Sequence, residues 1–467
     1  MQVPHIQDLD QLRILKIRVM NMQLADSSME KQVIRKLSWR LLPILVAGYL
    51  IAIIDRANIG IAALTMNADI GLTAATFGLA AGMFFIPYIL LELPSNLALE
   101  KVGARWWIAR IMFTWGIISG AHMFVWNDNS LYVMRALLGA AEAGFFPGIV
   151  FYLTLWFPAA WRGRIVSSFM ASIPVALIIG TPISSMLLEM HGLLGLKGWQ
   201  WMFLLEAIPA IALAFVVLFA LPNRPEDATF LAADEKQWLL TTLAAERNLL
   251  PPRKHGNLLK MLCSTRVLLF CLAYYGLTNL NGAISTFLPS IVSETGLSHI
   301  QTGFVTIIPY VFGLAGILLL GKLSDRPGSR LLANYLALFI SMFGLLGAGY
   351  FSEPLVRMTF LCGAAFGFFG AMPVFWSLPS QFLSASVAAG GIAMINSLGN
   401  LSSVINPWII GTIRDKTGNY NAGFFWLAAM ALLSVLTLTL IFRLWKTPSQ
   451  RDESPNAEKL KSPKGVC

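Results

Sequence analysis

Asp55 and Arg56 stand side by side in LLPILVAGYLIAIIDRANIGIAAL, and Arg135 and Glu142 lie in RALLGAAEAGFFPG, stretches otherwise almost free of charge. A charged side chain at the centre of a bilayer helix costs about 2.5–3.5 kcal/mol on insertion scales, so charges kept there mark a function or a pairing. On a helix, Arg135 and Glu142 are seven residues apart and share one face about 10 Å apart along the axis, with Gly139 between them leaving room. Two guanidiniums from different helices can clamp one carboxylate, and bidentate geometry is the usual reason to use Arg rather than Lys. A carboxyl in low dielectric favours its neutral form, so Asp55 and Glu142 are candidate proton carriers. They would balance the arginines while the site is empty and, once protonated, give way to an organic anion. The competing reading is a static ion-pair network that only fixes helix packing.

Such residues need apolar helices around them, and the composition supplies these. Of 467 residues, 56% are hydrophobic and 12% charged, whereas soluble domains carry about 25% charged residues. Together with a mean hydropathy of +0.67, this indicates an all-α polytopic membrane protein surrounded by lipid. The four cysteines have no metal-ligand spacing and the five histidines do not pair, so no metal or other cofactor is expected.

Apolar windows of about 20 residues predict twelve spans, at 41–63, 75–98, 107–126, 131–156, 165–188, 200–220, 267–291, 301–320, 331–350, 355–378, 385–411 and 422–444. They divide into an N-terminal half (41–221) and a C-terminal half (266–445). A polar N-terminal segment (1–40), a linker (222–265) and a tail (446–467) flank them. The linker stretch RPEDATFLAADEKQWLLTTLAAER is expected to form a surface helix, ended by PPRKHG. If the N-terminus is cytoplasmic, 28 of the 34 Lys and Arg residues fall on that side, so both termini are expected there. This placement accounts for the net charge of +10 without nucleic acid. In this orientation both arginines lie in the outer half of the membrane and Glu142 near the midplane.

The turn NLALEKVGAR (96–105) reappears as GKLSDRPGSR (321–330), aligning Glu100 with Asp325, Lys101 with Arg326, Gly103 with Gly328 and Arg105 with Arg330. Parallel six-helix repeats are a transporter architecture. Here the chain resembles the major facilitator superfamily, whose loop signature runs roughly Gly-x-Leu-Ala-Asp-Arg-x-Gly-Arg-Arg. The second copy matches well; the first has Asn96 for the leading Gly and Glu100 for Asp. The resemblance implies that these turns latch the halves together on the cytoplasmic side. DRANIG, RALLGAAEAGFFPG and KGWQWMFLLEAIPA narrow it: they look like the anion:cation symporter family, over nearly everything from residue 30 to 445. That family includes carriers of hexuronates, galactonate, tartrate, phthalate and hydroxyphenylacetate. It implies import of an organic carboxylate by proton symport through alternating access, with the acidic residue beside the first-span arginine and another in the fourth span carrying the proton. A monomer in the bacterial inner membrane is the expected setting.

Other polar residues give weaker signals. Glu92 is expected to snorkel or pair structurally, and Glu206 to be structural. In the second half, Asn396, Asn400 and Ser403 share one helical face, as do Thr278, Asn281 and Ser285. Pro373 and Pro379 are expected to interrupt the tenth span and free carbonyls beside Trp376 and Ser377. These groups, with Tyr88, could bind substrate or join helices. Tyr88, Phe375 and Trp376 favour an aromatic acid, such as hydroxyphenylacetate or phthalate, over tartrate or sugar acids. An uncoupled uniporter and a non-transporting sensor of the same fold are the alternatives. No Ser/His/Asp set supports an enzyme.

Overall fold

The computed structural model describes residues 6–249, 264–326, 329–379 and 385–445. Helix α1 (Ile6–Ile70) is followed by α2 (Ala74–Val102), α3 (Ala104–Ala121), α4 (Asp128–Trp156), α5 (Ala159–Leu188) and α6 (Gly198–Ala220). Helix α7 (Ala233–Leu249) comes between the halves. The second half holds α8 (Thr265–Ser293), α9 (His299–Ser324), α10 (Arg330–Tyr350), α11 (Pro354–Trp376), α12 (Ala385–Thr417) and α13 (Asn421–Leu444). Among the described residues nine of these are long and apolar enough to cross a membrane. Helices α3, α8 and α12 occupy the remaining three of the twelve predicted places and have 18, 29 and 33 residues. Arg105 and Arg110 dilute the apolar character of α3.

Prolines shape these helices. A proline ring clashes with the carbonyl four residues back and cannot bond to it. In α2 the helical run stops at Met83 ahead of Pro87. In α4 it stops at Glu142, with Ala143 and a left-handed Gly144 (φ +84°) ahead of Pro147. In α5 it stops at Met170 ahead of Pro174. Helix α11 departs from expectation: it runs through Pro373 and ends at Trp376, three residues before Pro379.

The polar α7 confirms the surface helix of the linker, beginning at Ala233 after a short 3-10 turn at Pro225–Asp227. It docks on α1 through Lys36–Glu235 (2.7 Å) and Gln32–Glu235 (3.0 Å). Burial pushes the Glu235 carboxyl up, but Lys36, the Ala232 amide and Gln32 outweigh it and hold the group below the usual carboxylate range. Residues 250–263 and the tail from 446 lie outside the described residues.

The halves meet along three helix pairs: α2 with α12, α5 with α9, and α1 with α8. Their close approaches gather at the end of the molecule opposite α7. There the Asp415 carboxylate accepts from the Ala74 and Ala75 amides (3.0 and 2.8 Å), and His299 lies 3.4 Å from Glu189. Backbones touch as well: a Cβ on Gly78 of α2 would sit 2.2 Å from the Pro407 carbonyl oxygen of α12. The molecule is therefore closed at the face away from α7.

Candidate functional site

Adjacent residues on a helix point about 100° apart, and Asp55 and Arg56 separate accordingly. Asp55, 1% exposed, faces α3, where Trp115 Nε1 donates to Oδ2 (2.8 Å) and Ser119 Oγ donates to Oδ1 (3.1 Å). Arg56 faces α4: Nε donates to Glu142 Oε1 (2.7 Å), and Nη2 lies 2.7 Å from the same oxygen. The expected balance of charge is thus unequal. Glu142 is the ion-pair partner of Arg56, whereas Asp55 is held by neutral donors.

Arg135 and Arg56 come together around one ring. The Phe84 centroid lies 5.3 Å from Arg56 Cζ and 5.1 Å from Arg135 Cζ, and the Tyr88 ring lies 4.9 Å from Arg56 Cζ. The aromatic faces stabilise both cations, the half-buried Arg56 and the buried Arg135. Gly139 does leave room between Arg135 and Glu142, and the backbone of α2 fills it: a Cβ there would lie 1.9 Å from the Phe84 carbonyl oxygen. That approach needs the break ahead of Pro87. Likewise, the break ahead of Pro147 makes Glu142 the last residue of its helical run.

The two arginines differ in one decisive respect. Arg56 has its carboxylate. Arg135 is 2% exposed and has no ion-pair partner among the described residues; its Nε and Nη1 are buried without acceptors, as Glu142 Oε2 is without a donor. Leaving donors of a buried cation unsatisfied costs roughly 1–3 kcal/mol or more. An anionic ligand would remove that cost.

Glu206 accepts from Asn58 (2.9 Å) and Ser184 (2.5 Å), tying α1, α5 and α6. Glu92 is half-buried and pairs across the halves. It accepts from Asn396 Nδ2 at 3.4 Å, joining α2 to α12 across the halves. Asn396, Asn400, Trp376 and Ser377 are half-buried; Trp376 packs on Tyr274 (4.7 Å), and Ser377 Oγ donates to the Val374 carbonyl. Ser403 is buried. Thr278 serves packing, bonding the Gly399 carbonyl and Ser402 of α12 (3.0 and 2.8 Å). Ser285 is half-buried. The Asn281 side chain lies outside the described residues.

The described contacts of the repeated turns stay within their own halves. Gly103 has a φ of +99°, which favours glycine. The Arg105 amide donates to Asn223 (3.0 Å) and its Nε to the Leu218 carbonyl, both at the end of α6. Glu100 and Lys101 are exposed. In the second turn the Arg326 amide bonds Leu323, Asp325 caps α9, and Arg330 opens α10; Gly328 lies outside the described residues. The latch between halves implied by the resemblance is not among the described contacts, because the halves close at the opposite face in this conformation.

Sequence reasoning missed Phe84, Trp115 and Ser119. Phe84 stands three residues before Pro87, and Trp115 and Ser119 share one face of α3, but nothing local says which charge they would meet.

A family model described as Major Facilitator Superfamily matches residues 45–407. The chain is 43% identical over 418 residues, 90% of its length and 96% of the relative's, to a protein of Agrobacterium vitis named "Putative tartrate transporter". It is 39% identical to a "Quinolone resistance transporter" of Acinetobacter baumannii, covering 92% of this chain and 99% of that one. Among solved structures, a D-xylose–proton symporter superposes with a TM-score of 0.68 at 18% identity, over 88% of this chain and 97% of that one. A bacterial homologue of the human lysosomal transporter Spinster gives 0.71 at 15%, over 90% and 99%. These two share the fold. Family, fold and named relatives are those of membrane transporters rather than enzymes, and with the match spanning most of the sequence, the chain belongs to the Major Facilitator Superfamily.

Proposed function

We propose that this protein is an anion:cation symporter that imports an organic carboxylate together with protons, by alternating access between its halves. The observation that carries this reading is Arg135, a buried guanidinium without a counter-ion, across Phe84 from an Arg56 already paired with Glu142. An incoming carboxylate takes Arg135 first. Protonation of Glu142 then weakens its hold on Arg56, whose fork becomes available to a second anionic or polar group of the substrate. Asp55, kept by Trp115 and Ser119, supplies a second protonatable group on the same helix. Charge balance couples the two fluxes: loaded and protonated, the site carries less net charge through the low-dielectric interior.

Tartrate is the first substrate to test, because two Agrobacterium vitis relatives at 43% and 44% identity bear that name. Aromatic acids such as phthalate or hydroxyphenylacetate come second, favoured by the rings of Phe84, Tyr88, Tyr274 and Trp376 around the interior. The excess of Lys and Arg in the loops on the α7 side favours a cytoplasmic α7 face, and bacterial relatives support the inner membrane. The closed face is then external, and the protein works as a monomer with the proton as its coupling ion and no other cofactor.

Uptake of radiolabelled tartrate, phthalate, 4-hydroxyphenylacetate and galactonate into proteoliposomes tests the reading. Wild-type protein should carry at least one of them, and Arg135→Gln should carry none. Absence of uptake by folded wild-type protein would favour a sensor. Uptake indifferent to the pH gradient would make the protein a uniporter.

A further inference from the structure

Away from the buried charges of the first half, a cavity of about 250 Å³ opens where α1, α3 and α6 reach the segment that leads into α7. Its walls carry Arg40 of α1, Arg105 at the start of α3, and Asn223 and Asp227 beyond the end of α6. Arg105 is anchored there: its amide donates to Asn223 Oδ1 (3.0 Å) and its Nε to the Leu218 carbonyl. The outer two nitrogens of its fork make no bond among the described residues. Because Asn223 Oδ1 accepts, Nδ2 of the same amide is left as a donor. Arg40 is exposed, and among the described residues it has no ion-pair partner. Asp227 is the one carboxylate in the lining, and it pairs with neither arginine among the described residues. The cavity therefore presents a surplus of positive charge and of donors.

Its depth is set by the helices around it. Arg40 immediately precedes the apolar run that begins at Leu41, Arg105 lies in the first turn of α3, and α6 ends at Ala220. Trp39 and Trp106, each next to one of the arginines, are exposed, as tryptophans are at a membrane–water boundary. Phe219 lines the cavity and is 76% exposed. One turn back on α6, the exposed Phe215 meets the exposed Phe113 of α3 edge-on, centroids 5.9 Å apart. An apolar strip thus runs from the cavity along α3 and α6 into the membrane-spanning part of the molecule.

We propose that this cavity binds the phosphate headgroup of an anionic phospholipid, with an acyl chain lying along Phe219, Phe215 and Phe113. The guanidinium fork matches phosphate oxygens, and basic pockets at the ends of membrane helices take acidic headgroups. A free phosphate would use the same donors, but it has no use for the phenylalanine strip, which favours the lipid. The site is separate from Arg135 and does not depend on its reading as an anion site. A lipid held there bridges α1, α3 and the end of α6.

Delipidated protein in neutral detergent separates the sources. Phosphatidylglycerol, phosphatidylcholine and inorganic phosphate would be titrated while thermal melting is followed, and retained lipid counted by native mass spectrometry. Phosphatidylglycerol should raise the melting temperature and be retained, whereas phosphatidylcholine and phosphate should do neither. Arg40→Gln should weaken phosphatidylglycerol binding about 5-fold, and Arg40→Gln with Arg105→Gln about 25-fold. Phe219→Ser should weaken it about 10-fold. Arg443→Gln, in the last turn of α13, should leave it unchanged. If the double variant does not fold, Arg40→Gln and Phe219→Ser decide. Stabilisation by phosphate equal to that by phosphatidylglycerol would make this a soluble-anion site and overturn the inference. So would an equal response to phosphatidylcholine, an equal loss in Arg443→Gln, or unchanged binding in both Arg40→Gln and Phe219→Ser.

Discussion

The two halves share a fold and differ in what they bury. Among the described residues the first half buries Asp55, Arg135, Glu142 and Glu206 beside the half-buried Arg56, whereas the polar groups buried within the second are Thr, Ser and Asn. Several of these join helices: Thr278 bonds Ser402, Ser434 the Ala273 carbonyl, and Asn406 Trp426. Neutral hydrogen bonds suffice to join helices in a bilayer, averaging about 0.6 kcal/mol each. Charges cost more and are kept where a charge must be met or moved. On the proposed reading, binding and coupling therefore belong to the first half. That reading reserves for the second the few side chains that face the first, of which Asn396 is the clearest.

The largest effect is expected at Arg135. Arg135→Lys retains the charge but loses the planar fork, and should lower tartrate uptake by about 100-fold, because a point charge cannot replace bidentate recognition. Near-normal uptake by this variant would break the assignment of binding to the first half. Next comes Asn396→Ala, which removes the donor to Glu92 across the interface; KM should rise about 3- to 10-fold, as for loss of one hydrogen bond worth roughly 1 kcal/mol. Thr278→Val should leave KM alone and destabilise the second half by about 1 kcal/mol, read as a lower melting temperature. A changed KM with unchanged melting would show that the second half's buried polar groups touch substrate after all.

The smallest effect concerns α7, which is tied to the first half through Glu235. The folded carboxyl lies below its ordinary range, so the contact contributes fully above the unfolded value and is lost as pH falls through the lowered folded one. Lys36 is 38% exposed, so solvent screens the pair. Glu235→Gln at pH 7 should speed amide exchange in Ala233–Leu249 only about 2- to 5-fold. Unchanged exchange would leave the ion pair without a role in docking.

The spans were legible because hydropathy reports burial in lipid directly, and α1 to α13 fall where apolar windows and the polar linker put them. Arg56, Arg135 and Glu142 were legible for the same reason: charge in an apolar helix is conspicuous. The partner of Asp55 was not, since periodicity fixes the face of one helix but not which neighbour it meets. Phe84 escaped for a related reason. Its place between two guanidiniums depends on the proline break in α2 and on the absence of a Cβ at Gly139 of α4 acting together. The face at which the halves close is a property of the conformation, and Asp415 reaching the amides of Ala74 and Ala75 links residues more than three hundred positions apart.

The most direct test of the coupling is tartrate uptake by proteoliposomes holding wild type or Glu142→Gln, with and without an inward pH gradient, alongside exchange of internal for external anion. The account predicts gradient-driven accumulation by wild type, and by Glu142→Gln exchange without accumulation, since Arg56 is then permanently released from its carboxylate. Full gradient-driven accumulation by Glu142→Gln would contradict it and leave the Arg56–Glu142 pair as packing.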